Sequence, residues 1–365
     1  MSPRTEAAAV EVHPVRGVPE VRPGDDVAAL LVVALRAGGL DLRAGDALVV
    51  SSKILSKALG LTVAAEGLDG PDRTAAVASQ TRRVVAERRT GDRVTRIVES
   101  LAGPVMAAAG VDASNTGPDG GLLLLPPDPD AVAVALRSAL AGYAALAPDA
   151  ALGVVVTDTA GRTWRAGQVD FALGCAGLAV LDDLRGGRDA DGRRLDVTAR
   201  AVADEVASAA DLVKGKADGV PAALVRGLPP TWFAPAAVGA ASLVRTGPGD
   251  WFALGHVEAL RAALGAPPGS AAAESVGLPA TEPEPVGTRV DRAVALALLD
   301  VPDGAVDVGV PVTGPGGPTV EVALSAGDPV ELGRLLARLE TAAVAEGLRL
   351  TDRVGGADEV RVRLR

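Results

Sequence analysis

The chain of 365 residues is poor in cysteine, histidine and aromatic residues. Cys175 is the one cysteine, so no disulfide can form within the chain, and we predict a cytoplasmic location. With His13 and His256 as the two histidines, a histidine-based zinc site is not expected. Aromatic residues make up 2% and hydrophobic residues 48%. The core must therefore be ample but aliphatic.

The sequence also has no long apolar run and no excess of basic over acidic residues. Without a run of about 20 apolar residues no membrane span is expected, and the amino terminus does not resemble a secretory signal. A net charge of −10 argues against a nucleic-acid partner, because binding to the phosphate backbone needs a basic face. An anionic ligand would have to be held locally, by a few basic side chains, backbone N–H groups or a metal.

Strand and helix patterns alternate without a strict β-α-β rhythm, which predicts an α+β fold. A buried strand is predicted at Ala47–Val50, and helical spacing extends over Thr74–Arg89. A stretch rich in Pro, Gly, Ser and Glu, Leu264–Gly287, has the composition of a linker. The predicted domains are therefore 10–245, a helix and linker over 246–287, and a small C-terminal α/β module over 288–365.

Two polar motifs lie beside apolar segments in the first half of the chain. Ser52 and Lys57 lie in "SSKILSKALG", directly after the predicted strand. They form either a polar turn or a phosphate-binding segment, though not a Walker loop, whose glycine spacing is absent. Asp112 and Asn115 lie in "GVDASNTG". This is a turn formula first of all, but the aspartate can also bind Mg²⁺ or Mn²⁺ and the asparagine can orient a phosphate or a base.

The most apolar strand of the chain ends in "VVVTDTAGRTWRAGQVD". Asp158 emerges there and needs a partner, because a buried unpaired carboxylate is costly. One interpretation is a salt bridge with Arg162 or Arg165. The other is a metal carboxylate, assisted by Thr159, beside two arginines that bind phosphate or substrate. Asp112 and Asp158 together would then hold a divalent cation against phosphate oxygens.

A third lysine-containing motif, "VKGKADG", ends a predicted helix. Lys214 and Lys216 either complement the helix dipole or contribute to an anion site.

Taken together and in this order, these motifs resemble the coenzyme F(420)-0:L-glutamate ligase family, the γ-glutamyl ligases of deazaflavin cofactor biosynthesis. The resemblance covers about Val10 to Arg245 and also includes "PVRGVPEVRPGDD". It implies two similar subdomains, an intertwined homodimer and no covalent enzyme nucleophile. It further implies GTP as co-substrate, Mn²⁺ or Mg²⁺, K⁺ as an aid, and addition of L-glutamate to F(420)-0 through an acyl phosphate. Further γ-linked glutamates would then be added.

The resemblance also assigns residues of this chain. Metal contacts are Asp112, Asp158 and Thr159. The implied nucleotide contacts are Val18, Pro19, Glu20, Val21, Ser52, Lys57, Asn115, Lys214 and Lys216.

Some relatives carry a flavin-binding C-terminal domain. The remaining chain here is about half the needed length and lacks the expected arginine-rich entry, so FMN is not expected. A second interpretation is a non-catalytic relative that binds nucleotide or deazaflavin. The Ser100-Leu101-Ala102 stretch, where relatives usually carry a basic residue, favours it a little.

Overall fold

The computed structural model describes residues 9–65, 70–117, 120–234, 238–301, 303–315 and 317–365. Up to Leu123 the elements are β1 (Glu11–Val15), α1 (Val27–Ala37), β2 (Asp46–Ser51), α2 (Ser52–Ala58), β3 (Thr62–Val63), α3 (Pro71–Ser79), β4 (Thr81–Thr90), β5 (Arg93–Ser100), β6 (Val105–Ala107) and β7 (Leu122–Leu123). Next come α4 (Pro129–Tyr143), β8 (Leu152–Arg162), β9 (Arg165–Ala176), β10 (Asp182–Asp183), β11 (Ala199–Arg200), α5 (Val202–Asp211) and β12 (Ala222–Arg226). The last part contains α6 (His256–Ala263), α7 (Ala271–Val276), α8 (Val286–Leu298), β13 (Ala305–Val308), β14 (Val312–Gly314), β15 (Gly317–Ser325), α9 (Pro329–Ala345), β16 (Leu350–Gly355) and β17 (Glu359–Leu364).

The chain divides into two units. The first consists of the residues up to Arg82 and Glu99–Arg245, and the second of Arg83–Val98 and Thr246–Arg365. The hairpin of β4 and β5 therefore belongs largely to the second unit, although the sequence places it within the predicted 10–245 domain. None of the described helices is both long and apolar enough to cross a membrane.

The first unit is built around a five-stranded sheet in the order β1-β12-β2-β8-β9. β2 and β8 are parallel, whereas the other neighbouring pairs are antiparallel. Val154 and Val156 of β8 pack in one core with α1 and α4, and Val155 packs in another with α5. Because both faces are covered, β8 is apolar at consecutive positions. The α+β class is confirmed; the two similar subdomains stay a prediction.

The second unit packs α8 and α9 against one face of an antiparallel sheet in the order β13-β15-β17-β16. Strict alternation in β17, where Val360, Val362 and Leu364 are buried and the residues between them are exposed, is typical of a sheet with one covered face. The module predicted as α/β is thus a set of helices on an antiparallel sheet.

Two local predictions are wrong. Helical spacing over Thr74–Arg89 predicts one helix, but α3 ends at Ser79 and β4 follows, because pairing with β5 prevails over an alanine-rich spacing pattern. The predicted linker 264–287 contains α7, and its Ala266, Ala273 and Val276 lie in the core of the second unit. Apolar residues among the prolines and glycines bury enough surface to order this stretch.

A buried ionic network joins the helices of the second unit. Glu346, at the end of α9, accepts hydrogen bonds from Arg261 Nη1 and from Arg292 Nε, both at 2.8 Å. Arg292 also donates to both carboxylate oxygens of Glu284, at 2.8 and 2.6 Å. The network ties α6, α8 and α9 together.

Replacing Glu346 with glutamine should leave the buried Arg261 guanidinium without its counter-charge and should leave Arg292 with Glu284 alone. We expect Glu346→Gln to lower the free energy of unfolding by about 3–5 kcal/mol. The control, Glu340→Gln on the same helix, removes an exposed carboxylate 3.9 Å from Arg353 and should change it by less than about 1 kcal/mol. Urea unfolding of the full chain measures both. Equal effects in the two variants would contradict the role of the network.

Candidate active site

The candidate site lies at one edge of the first unit's sheet, where the parallel strands β2 and β8 end. Ser51 of β2 is level with Thr157 of β8. Ser51 also caps α2, since its Oγ accepts from Lys53 N at 3.4 Å, and its own N–H donates to the carbonyl of Pro221 at 2.8 Å. Parallel neighbours end at the same edge of a sheet. The polar residues at the ends of β2 and β8 therefore lie together, beside the segment that contains Pro221.

A cavity of about 360 Å³ opens at this edge. The predicted residues that line it are Val18, Pro19, Glu20, Val21, Lys57, Asn115, Asp158, Thr159, Lys214 and Lys216. The lining also includes residues that the sequence did not single out as contacts, namely Ser51, Lys53, Ile54, Gly117, Asp170, Asp211, Gly215, Gly219, Val220 and Pro221. The structure therefore brings together segments that lie about 200 residues apart in sequence.

Lys53 fastens the aspartate loop to α2. Its Nζ lies 2.6 Å from Asp112 Oδ2 and donates to Ser114 Oγ at 2.6 Å. Ser114 N and Oγ also donate to the Asp112 carboxylate, at 2.8 and 3.0 Å. Burial by itself would raise the pKa of Asp112, but the hydrogen bonds from Lys53 and Ser114 outweigh it and hold that pKa below its usual value. Asp112 is therefore ionised, with an ammonium at its oxygens.

Asp158 stands in a negative environment at the end of the buried part of β8. Burial, and then the charges on Asp112 and Asp170, raise the pKa of Asp158 to about 6 against the opposing effects of the Thr159 N–H and Lys53. This repulsion is what a divalent cation would relieve, and carboxylate and hydroxyl oxygens are suitable ligands. Asp112, Asp158 and Thr159 thus fit Mn²⁺ or Mg²⁺, although the described residues include no group of three or more His, Cys, Asp or Glu side chains that could hold a metal by themselves.

Asp170 forms a second ionic group behind Asp158. Its carboxylate accepts from Thr157 Oγ1 at 2.8 Å and Thr159 Oγ1 at 2.7 Å, and it pairs with Lys214 Nζ. Lys214 also donates to Thr157 Oγ1 at 2.8 Å, and the side chains of Lys214 and Asp170 are each 6% exposed. Lys214 therefore holds the end of α5 against the β8–β9 hairpin as well as lining the cavity.

The mouth of the cavity is formed by the first loop, α2 and the loop before β7. Lys57 Nζ contacts Glu20 Oε1, and Asn115 Nδ2 donates to the carbonyl of Lys216 at 3.4 Å. Gly117 has a positive φ of 97°, and a Cβ there would come within 2.9 Å of Glu20 Oε1. Glycine at this position therefore lets the loop approach the Glu20–Lys57 pair.

Four predicted residues do not line this cavity. One of them is Asp112, which instead forms an ion pair with the lining residue Lys53. Ser52 is buried in the first turn of α2. Arg162 lines a different cavity of the same unit, and Arg165 is exposed at the start of β9 and lines neither. Among the described residues Asp158 forms no ion pair with either arginine, because Arg162 at the end of β8 and Arg165 at the start of β9 both lie in the outer part of the hairpin. The salt-bridge interpretation of Asp158 is therefore wrong.

The model of the F(420)-0:gamma-glutamyl ligase family matches residues 17–227, more than half of the chain. The chain is 40% identical over 233 residues to the coenzyme F(420):L-glutamate ligase of Haloarcula marismortui, covering 60% of this chain and 87% of that protein. It is 41% identical over 226 residues to the enzyme of that name from Methanothermobacter thermautotrophicus, covering 59% and 88%. The chain therefore belongs to the F(420)-0:gamma-glutamyl ligase family.

The pairing of Asp170 with Lys214 can be tested by a double-mutant cycle. Asp170→Asn leaves a buried ammonium unpaired and should lower the free energy of unfolding by about 3 kcal/mol. Adding Lys214→Met to it should restore most of that loss, since removing both partners is far less costly than removing one. As a control, Asp183→Asn breaks an exposed pair with Arg185 and should leave the free energy of unfolding nearly unchanged. Additive effects of the two site substitutions would show that the pair does not couple.

Proposed function

We propose that the protein is a GTP- and divalent-metal-dependent ligase that joins L-glutamate to F(420)-0 by an amide bond and then adds further γ-linked glutamates. The observation that carries the proposal is one cavity lined by Asp158, Lys53 and Lys57, with Asp112 paired to Lys53, within the segment that matches the family. Its wider form includes K⁺ as an aid and a homodimer, as the family resemblance implies, together with the predicted cytoplasmic location and no FMN.

The nucleotide would lie across the cavity with its phosphates toward α2. Lys57 and Lys53 offer ammonium groups there, and Asn115 and Lys216, which are joined by a hydrogen bond, line the same cavity. Val18, Pro19 and Val21 supply an apolar patch beside Glu20 that suits the base or ribose. An acidic protein can hold a triphosphate in this way because the lysines are concentrated at one point.

Asp112, Asp158 and Thr159 would hold the metal. A bound Mn²⁺ or Mg²⁺ supplies positive charge at the phosphate oxygens, which lowers the cost of transferring the terminal phosphoryl group. Asp170 and Lys214 would keep the Thr159 hydroxyl in place, since that hydroxyl donates to Asp170. The protein thus supplies alignment and charge, and needs no covalent nucleophile.

The proposed reaction has two steps. First, a carboxylate oxygen of F(420)-0 attacks the terminal phosphorus of GTP, the phosphorus–oxygen bond to GDP breaks, and an acyl phosphate forms. Second, the amine of L-glutamate attacks the acyl carbon, phosphate leaves, and the amine nitrogen gives up its proton to solvent. The products are the amide, GDP and phosphate. The lysines stabilise the charge on the transferred group and on the leaving GDP.

The test is ligation by the purified full chain with F(420)-0, GTP, Mn²⁺ and L-glutamate. Asp158→Asn should lower the ligation rate at least about 100-fold, because it removes one charge from the proposed metal site. Its stability to urea at pH 7.5 should equal or exceed that of the unsubstituted chain. Burial and like charges disfavour the ionised Asp158, whose stability cost grows as the pH rises through its pKa of about 6.

The matched control is Asp149→Asn, which removes an exposed carboxylate of the same unit and should leave the rate unchanged. Full ligation by Asp158→Asn at limiting Mn²⁺ would contradict the metal site. Absence of GDP and of the amide product with the unsubstituted chain would contradict the ligase function. Flavin absorbance that stays with the protein after purification, or after titration with FMN, would contradict the prediction that the chain binds no FMN.

A further inference from the structure

A second cavity of about 680 Å³ lies wholly within the first unit. β9, the start of α5 and the turn after residue 239 form its walls. Phe171, Leu173, Leu243 and Val244 give it an apolar lining, and several alanines keep it open. Its volume and largely apolar lining are those of a site for a small organic molecule.

Among the described residues, Asp170 is the one that lines both cavities. Its carboxylate faces Thr159 and Lys214, which line the first cavity, while its main-chain carbonyl accepts from Ser208 Oγ, which lines the second, at 2.9 Å. The two cavities therefore adjoin across a single residue of β9.

Polar groups are confined to a few points of the second cavity. Arg162 and Arg245 both line it, and guanidinium groups favour phosphate and carboxylate. The acidic Asp204 is already engaged, because its Oδ1 accepts from Ala172 N at 2.9 Å. That N–H is available because the ladder between β8 and β9 shifts register at Thr157, so that Leu173 is an extra residue. The cavity thus combines an apolar wall with two arginines and with the acidic Asp204 and Glu205 at the start of α5.

We propose that this second cavity binds the acceptor substrate, a planar fused-ring molecule with an anionic phosphodiester tail, and this assignment rests on the proposed function. The ring lies against Phe171, Leu173 and Leu243, and the tail phosphate contacts Arg162. The terminal carboxylate passes Asp170, whose charge is balanced by Lys214. It reaches the terminal phosphate of the nucleotide in the first cavity, as an attack within about 3–3.5 Å requires.

Filling the cavity tests the proposal. Ala241 lines it and is exposed, so Ala241→Trp adds bulk without disturbing the buried core. We expect it to weaken binding of F(420)-0 at least 10-fold, measured by fluorescence titration without GTP, and to raise the KM for F(420)-0 similarly. Binding of a fluorescent GTP analogue should stay within about 2-fold. Ala147→Trp, exposed and outside both cavities, is the matched control and should change neither.

A second pair of variants tests the tail contact on one hairpin. Arg162→Ala should weaken F(420)-0 binding several-fold, whereas Arg165→Ala, which removes an arginine outside both cavities, should not. Unchanged F(420)-0 binding in both Ala241→Trp and Arg162→Ala would overturn the proposal. So would a change of oligomeric state in Ala241→Trp with F(420)-0 binding intact, since the cavity would then be covered by a second copy of the chain.

Binding and ligation separate this proposal from the proposed function. If the unsubstituted chain binds F(420)-0 but forms no amide, and Ala241→Trp abolishes that binding, the cavity assignment holds and the ligase function fails. If the chain ligates and Ala241→Trp ligates with an unchanged KM for F(420)-0, the ligase function holds and the cavity assignment fails.

Discussion

The parallel pairing of β2 with β8 is the constraint on which the candidate site depends. Antiparallel neighbours would end at opposite edges, whereas Ser51 and Thr157 end level with each other. The two faces of these strands are buried by α1, α4 and α5, so the register cannot slip without moving apolar side chains out of the core. Asp158 and the α2 lysines are consequently held close together although about 100 residues separate them in the chain.

Much of the first unit's fold could be predicted because its strands are long apolar runs and its helices have clear caps. The prediction of an α+β class and of a strand at Ala47–Val50 follows from these local signals. What failed was decided by pairing between distant segments. The apolar residues of the β4–β5 hairpin are spaced in a way that fits both a strand and a helix. Most of the hairpin belongs to the second unit, although it lies far from Thr246 in the sequence.

The candidate site could be predicted where the type of a residue indicates its chemical role. Asp158 and Lys57 follow apolar strands and line the cavity as expected. Asp170 was not singled out, because an aspartate inside a strand has an ordinary role in most sequences. Its position shows only in three dimensions, where it meets Lys214. Arg162 was placed with the wrong cavity for the same reason, since the length of the hairpin cannot be judged from the sequence.

Three lysines that line the first cavity already have carboxylate partners, Asp112 for Lys53, Glu20 for Lys57 and Asp170 for Lys214. A phosphate that enters must compete with these carboxylates. In the proposed function Lys53 is released for phosphate when Asp112 turns to a cation, because the carboxylate cannot hold both at full strength. Metal and nucleotide would then strengthen each other's binding by the same factor. Lys214 is buried with Asp170 and is not released for phosphate in this way. It instead keeps the β8–β9 hairpin in place.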